Sequence, residues 1–141
     1  MPSSQPPDPA HQRPAAAAAG QQPQPGRLFA LLLLWDFSNR PPELLAQLRR
    51  YVAEDSWARY ADRPALRQKV WFSNQATRQW GAFYLWETEQ AREHEITTMG
   101  RVQAMTGVAP RIDRFDVEAI QEGAYTLGDL RRAGLAFATR R

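Results

Sequence analysis

The titratable chemistry open to this chain is narrow. It has no cysteine, a single lysine (Lys69) and two histidines, His11 and His94. Thiolate nucleophiles, disulfides and cysteine-based zinc sites are therefore excluded. Large aromatic rings stand close to the few groups that remain: Trp71 follows Lys69 by two residues, and Trp80, Tyr84 and Trp86 come soon after at even spacing. A lysine facing an apolar cavity loses its proton easily and becomes a base or a phenolate-binding group. The competing reading is an edge lysine whose stem packs along apolar surface while its head reaches water. Flat aromatic walls, with Trp N–H and Tyr O–H as orienting groups, suit a phenolic or polycyclic ligand. The same side chains also read as the core of a subunit interface.

His94 is the other candidate base. It falls near the inner stripe of a helix and could withdraw a phenolic or carbon-acid proton, leaving an anion able to pass an electron to oxygen. It could also serve structure alone, since Glu93 and Glu95 flank it and favour a half-exposed position. Ser73 and Asn74, at the end of a strand, are candidate donors to a bound oxyanion. The site expected from sequence is thus His94, Lys69 and Tyr84 as catalytic groups, with Trp71, Trp80, Trp86, Ser73 and Asn74 against the substrate. No metal and no cofactor are expected.

The elements that must position these residues can be read from periodicity. Residues 1–26 are rich in Pro, Ala and Gln without apolar periodicity and read as a disordered tail. Residues 28–37 are almost continuously apolar, which predicts a strand covered on both faces. The run is too short for a membrane span and lacks the basic flank of a signal peptide, so a cytoplasmic protein is expected. Pro41 and Pro42 open a helix that should fade near Trp57. Strands over 66–74 and 79–87 are separated by a polar turn at 75–78, the spacing of a hairpin. Alternation puts Arg67, Lys69, Trp71 and Ser73 on one face of the first, and Trp80, Ala82, Tyr84 and Trp86 on one face of the second.

Thr88 precedes a helix from Glu89 to about Thr106, whose inward stripe takes Ala91, either His94 or Glu95, Thr98, Val102 and Met105, with Gly107 as C-cap. A last strand spans 111–118. Thr126 and Asp129 are spaced like the capping box of a short terminal helix.

The order βαββαβ predicts an α+β, ferredoxin-like antiparallel sheet with both helices on one face. The first strand is apolar on the open face too and the third carries three large aromatics; a monomer would rarely expose such a patch. Two sheets packed across a two-fold axis resolve this, and a homodimer is expected. The expected organisation is a tail (1–26), a barrel-forming domain (27–121) and a C-terminal extension (122–141) that reads as a dimer arm.

The net charge of +3 and pI near 9.8 come from arginines scattered among fifteen acids. Nucleic-acid binding needs that charge gathered on one face, so neither a nucleic-acid nor a membrane partner is expected. The segment 78–83 resembles the RNP1 box of RNA-recognition modules, but Gln79 stands where glycine is required and Ala82 where an aromatic is.

The runs Pro64-Ala65-Leu66-Arg67-Gln68-Lys69-Val70-Trp71 and Trp80-Gly81-Ala82-Phe83-Tyr84-Leu85-Trp86-Glu87, with Arg114-Phe115-Asp116-Val117 as last strand, resemble the mono-oxygenase YdhR family of dimeric α/β-barrel proteins. The similarity covers roughly Leu28 to Ala119 and departs at Ala65, at Trp80 and in both terminal extensions. The resemblance implies a homodimer of two sheets, a cavity between sheet and helices in each protomer, and kinship with small cofactor-independent oxygenases acting on aromatic polyketides. A tailoring enzyme oxidising an aromatic or polyketide-like small molecule is the expected function. A cofactor-free cyclase or isomerase, and a non-catalytic small-molecule or haem-binding dimer, are the alternatives.

Overall fold

A computed structural model describes residues 26–124, 130 and 133–138. Four strands, β1 (Phe29–Asp36), β2 (Leu66–Asn74), β3 (Gln79–Trp86) and β4 (Arg111–Asp116), form one antiparallel sheet in the order β2-β3-β1-β4. β1 is followed by α1 (Leu44–Tyr51), a π-helical turn (Val52–Ser56) and α2 (Trp57–Ala61); β3 is followed by α3 (Glu89–Thr98) and α4 (Arg101–Thr106). This is the expected ferredoxin-like βαββαβ arrangement, with every strand starting or ending within two residues of its sequence reading. The turn between β2 and β3 closes through Asn74, whose Oδ1 accepts from the N–H groups of Ala76 (3.0 Å) and Thr77 (3.2 Å).

The two helical segments differ from expectation. The first does not fade near Trp57 but runs on to Ala61 through the π turn. Its buried positions, Leu44, Leu48, Val52, Ser56 and Tyr60, recur every fourth residue. In a pure α-helix that spacing drifts around the axis by about 40° per step. The wider π turn takes up the drift and keeps Tyr60 over the sheet. The second helix breaks at Met99 and Gly100, where Met99 is extended. Gly107 closes it in the left-handed conformation (φ 75°), as the sequence indicated.

The helix-covered face carries Phe29, Leu31, Leu33 and Trp35 of β1, and Trp80, Ala82, Tyr84 and Trp86 of β3, nearly all buried. The aromatics of β3 therefore do not form the open patch, as the sequence reading had it; they lie beneath the helices. The open face has an apolar centre for a different reason, presenting Leu32 and Leu34 with Phe83, Val70, Phe72 and Phe115, beside Arg111 and Asp113 of β4. Val70, Phe72 and Phe115 are 43%, 38% and 50% exposed. The described part of the C-terminal extension returns to its own chain. Phe137, in a short 3-10 turn (Leu135–Phe137), meets Trp57 edge to face with centroids 5.4 Å apart. Residues 1–25 of the expected tail, and Thr126, Leu127 and Asp129 of the expected terminal helix, lie outside the described residues.

Gly81 marks a close approach on the open face. A Cβ there would stand 2.2 Å from Cζ of Phe72 and 2.9 Å from the carbonyl oxygen of Leu33. The ring can swing aside but the carbonyl cannot, because it belongs to β1. Gly81→Ala is expected to cost about 1–3 kcal/mol of stability in urea denaturation, and Phe72→Ala added to it should restore only part of the loss. Full recovery would show that the strand backbone is not constrained there.

Candidate active site

The helix-facing side of the sheet gathers a polar cluster within its aromatic core. Glu95 of α3 is 1% exposed. Its Oε2 accepts from the Tyr60 hydroxyl and, at 3.1 Å, from the Tyr84 hydroxyl; its Oε1 accepts from Arg63 Nη1 at 2.9 Å. Three charge-assisted bonds are what allow a carboxylate to sit at this depth. Beside it, Lys69 Nζ lies 3.4 Å from the ring centroid of Tyr60, 4.5 Å from Trp71 and 4.6 Å from Tyr84. No acceptor bonds the amine among the described residues. Alternation along β2 and β3 sets this meeting, since Lys69 is paired with Tyr84 and Trp71 with Ala82 on the same sheet face.

Burial dominates the titration of these groups. It pushes Lys69 down to about 6; Glu95 opposes the shift, while Arg59 and Arg63 add to it. Burial, then Glu95, pushes Tyr60 up to about 12, and Tyr84 is raised by burial, Tyr60 and Glu95. Near neutrality Lys69 is thus a free amine, and both tyrosines are neutral donors directed at Glu95.

Two spaces open on the cluster. An inner cavity of about 80 Å³ lies between sheet and helices, bounded by Trp35, Arg59, Tyr60, Lys69, Tyr84 and Glu95 among others. An outer groove of about 560 Å³ runs along the β2 edge under the described C-terminal residues. Val52, Lys69, Trp71 and Trp80 line both. The groove has the size of a small-molecule site, and the cavity that of about two or three waters.

Of the residues expected from sequence, Lys69, Tyr84, Trp71 and Trp80 are brought together. His94 is not: it is exposed on α3, and its backbone carbonyl accepts from the hydroxyls of Thr97 and Thr98. Of the two inward candidates, Glu95 is the one that turns to the sheet. Trp86 is buried and stacked on Tyr84 at 5.8 Å, but lines neither space. Ser73 lines only the outer groove, and the Asn74 side chain is taken up by its turn. Tyr60, Arg63 and Arg59 were not singled out by sequence. A tyrosine at every-fourth-residue spacing from Leu48 was the one signal available. No group of three or more His, Asp or Glu side chains among the described residues could hold a metal ion. No described helix is long and apolar enough to cross a membrane.

No protein-family model matches the chain, and no curated protein is similar to it. Solved structures are. A protein of unknown function from Nitrosomonas europaea superposes with a TM-score of 0.52 at 15% identity, over 70% of this chain and 97% of the other. A monooxygenase of Streptomyces coelicolor, from the gene ActVA-Orf6 and in complex with nanaomycin D, superposes with a TM-score of 0.53 at 11% identity, over 72% and 96% of the two chains. At these identities the likeness establishes the fold, a ferredoxin-like α+β sheet under two helical segments.

The lysine's environment sets a dependence of stability on pH. Its folded value near 6 lies below the model-peptide value of 10.5. Between these values the unfolded chain holds a proton that the folded chain does not, so stability rises with pH across that window, by up to about 1.4 kcal/mol per unit from this group. Tyr60, raised from 10.0 to about 12, reverses the trend above pH 10. Denaturation of wild type and Lys69→Met across pH 6–10 should show the rise flattened in the variant. Parallel curves would mean that the amine is solvated.

Proposed function

We propose that this chain is a cofactor-independent mono-oxygenase-like enzyme, oxidising an aromatic or polyketide-like small molecule with Lys69 as its base. The observation that carries the reading is an amine with no acceptor among the described residues, neutral near pH 7, set among three rings where the inner cavity meets the outer groove. The fold shared with a monooxygenase that binds nanaomycin D supports it, as does the resemblance of the lysine strand and its hairpin partner to the YdhR family.

The substrate lies along Trp71 and Trp80 in the groove and presents an acidic methylene or phenol to Lys69. The amine takes the proton. The carbanion left behind gives one electron to dioxygen, and the two radicals join in a C–O bond. The peroxide is protonated, and loss of water across the C–H and O–O bonds leaves a carbonyl. Overall CH₂ and O₂ become C=O and H₂O, with dioxygen the only oxidant. Tyr84 and Tyr60 fix Glu95, which in turn flanks the lysine. Oxygen uptake with an anthrone or a related phenol should fall at least a hundredfold in Lys69→Met and stay within about twofold in His94→Ala. Turnover undiminished under nitrogen would instead identify a cyclase or isomerase.

The working unit in this reading is a homodimer joined through the open sheet face. Val70, Phe72 and Phe115, with half-buried Leu34 between them, leave apolar surface that a second copy would cover. Sedimentation should give a dimer at micromolar concentration, and Phe72→Glu should dissociate it. A wild-type monomer under those conditions rejects the barrel.

A further inference from the structure

The inner cavity is rich in donors, and its carboxylate is fully engaged. Among the described residues Glu95 is the one carboxylate lining it, and both its oxygens are occupied, Oε2 by two tyrosine hydroxyls and Oε1 by Arg63. Those hydroxyl protons are committed in turn. Several donors in the same wall find no acceptor among the described residues. Lys69 Nζ stands over three ring faces in that condition. Trp35 is 4% exposed and its Nε1 has no acceptor among the described residues; Arg59 Nε is buried in the same condition. Empty, or filled by an apolar group, such a wall leaves several polar groups unsatisfied.

Charge points the same way. Arg59, Arg63, Lys69 and Arg101 line the cavity, and the carboxylates that meet them are Glu95 within it and Asp55 outside. Asp55 pairs with Arg59 at 3.4 Å and with Arg101 at 3.2 Å. Four basic side chains thus share two acids.

We propose that the inner cavity is an oxyanion subsite, which holds the ionised acidic group of an aromatic acid while the ring lies against Trp71 and Trp80 at the mouth of the groove. This names a substrate class for the site assigned above and rests on that reading for the site, but not on any reaction with oxygen. Carboxylate, phenolate and enolate share the required chemistry, an anionic oxygen on a flat ring system. Amines are excluded by the charge, and neutral isosteres leave the donors unmet.

Proton uptake follows from the position of Lys69. The groups around it are Arg59 and Tyr60 on α2, Arg63 just after it, Tyr84 on β3 and Glu95 on α3, with Arg101 of α4 and Tyr51 of α1 further along the wall. Burial and the guanidinium groups strip the amine of its proton, against the pull of Glu95 and of the ring faces. A bound anion adds to the pull of Glu95, so the lysine gains a proton as the ligand settles: from the substrate itself where a phenol or acidic methylene enters neutral, from solvent where the ligand enters already ionised.

The test is anaerobic calorimetry at pH 8 with 1-naphthoate and its neutral isostere 1-naphthamide, in two buffers of different ionisation enthalpy. Naphthoate should bind at least tenfold more tightly than the amide and take up close to one proton per ligand. Lys69→Met should abolish the uptake and most of the preference; Arg59→Gln, which keeps the amine, should weaken naphthoate at least threefold with uptake retained. Equal affinity for acid and amide, absence of proton uptake, or no binding of naphthoate at millimolar concentration would each overturn the proposal. Oxygen consumption distinguishes the two readings. Proton-coupled naphthoate binding without turnover of any phenol sinks the oxygenase and leaves the subsite standing. The reverse pattern sinks the subsite alone.

Discussion

The arrangement of this molecule depends on a carboxylate held away from water. Glu95 is 1% exposed, and a charge at that depth would cost several kcal/mol if it were unpaired. The three donors that offset the cost come from three places: Tyr60 from α2, Arg63 from the loop that follows it, and Tyr84 from β3. Each bond ties a separate part of the chain to α3. The position of α3 over the sheet, the end of the first helical run and the middle of β3 are thereby fixed relative to one another. Arg92, one turn before Glu95, extends the tie to the sheet edge by donating to the carbonyls of Ala30 (3.4 Å) and Phe115 (3.2 Å).

That constraint also creates the unusual lysine. Tyr60 and Tyr84 turn their hydroxyls to Glu95, so what they offer to Lys69 is ring face. Aromatic faces attract a cation, as does Glu95, yet neither replaces the water that burial removes. Arg63, needed to balance Glu95, adds repulsion on the lysine. The amine is left basic in the ordinary sense but unprotonated near neutrality, which is what a general base requires. With His94 exposed on α3, the cluster obtains a group titrating near 6 by burying the single lysine of the chain.

Much of this could be read from sequence, and the parts that could not share a cause. Strand limits and the face shared by Lys69, Trp71, Tyr84 and Trp80 follow from a period of two and from the residues of the hairpin turn, all local information. Whether the aromatics of β3 would meet helices or a second sheet is decided by which side the crossovers take, and there the alternation pattern is silent. His94 and Glu95 are adjacent and both lie near the helical stripe. The choice falls to Glu95 because tyrosines 35 and 11 residues away donate to it, and no window of sequence contains both. The π turn was partly legible: spacing by four from Leu44 to Tyr60, sustained over sixteen residues, is too long for one straight α-helical face.

The two faces of the sheet divide the work in a way that explains its composition. The covered face holds large aromatics with polar tips, which can line a cavity and still satisfy or orient a charge. The open face holds Leu, Val and Phe at its centre, which have no polar atoms and exclude water, with Arg111 and Asp113 paired on the β4 edge. Gly81 sits where the two demands meet. It gives up its side chain so that the Phe72 ring can lie flat on the open side, while its neighbours Trp80 and Ala82 face the cavity. Because the inner cavity lies on the covered face and the backbone between the faces is held by hydrogen bonds on both edges of β3, a substitution on the open face leaves the cavity wall in place.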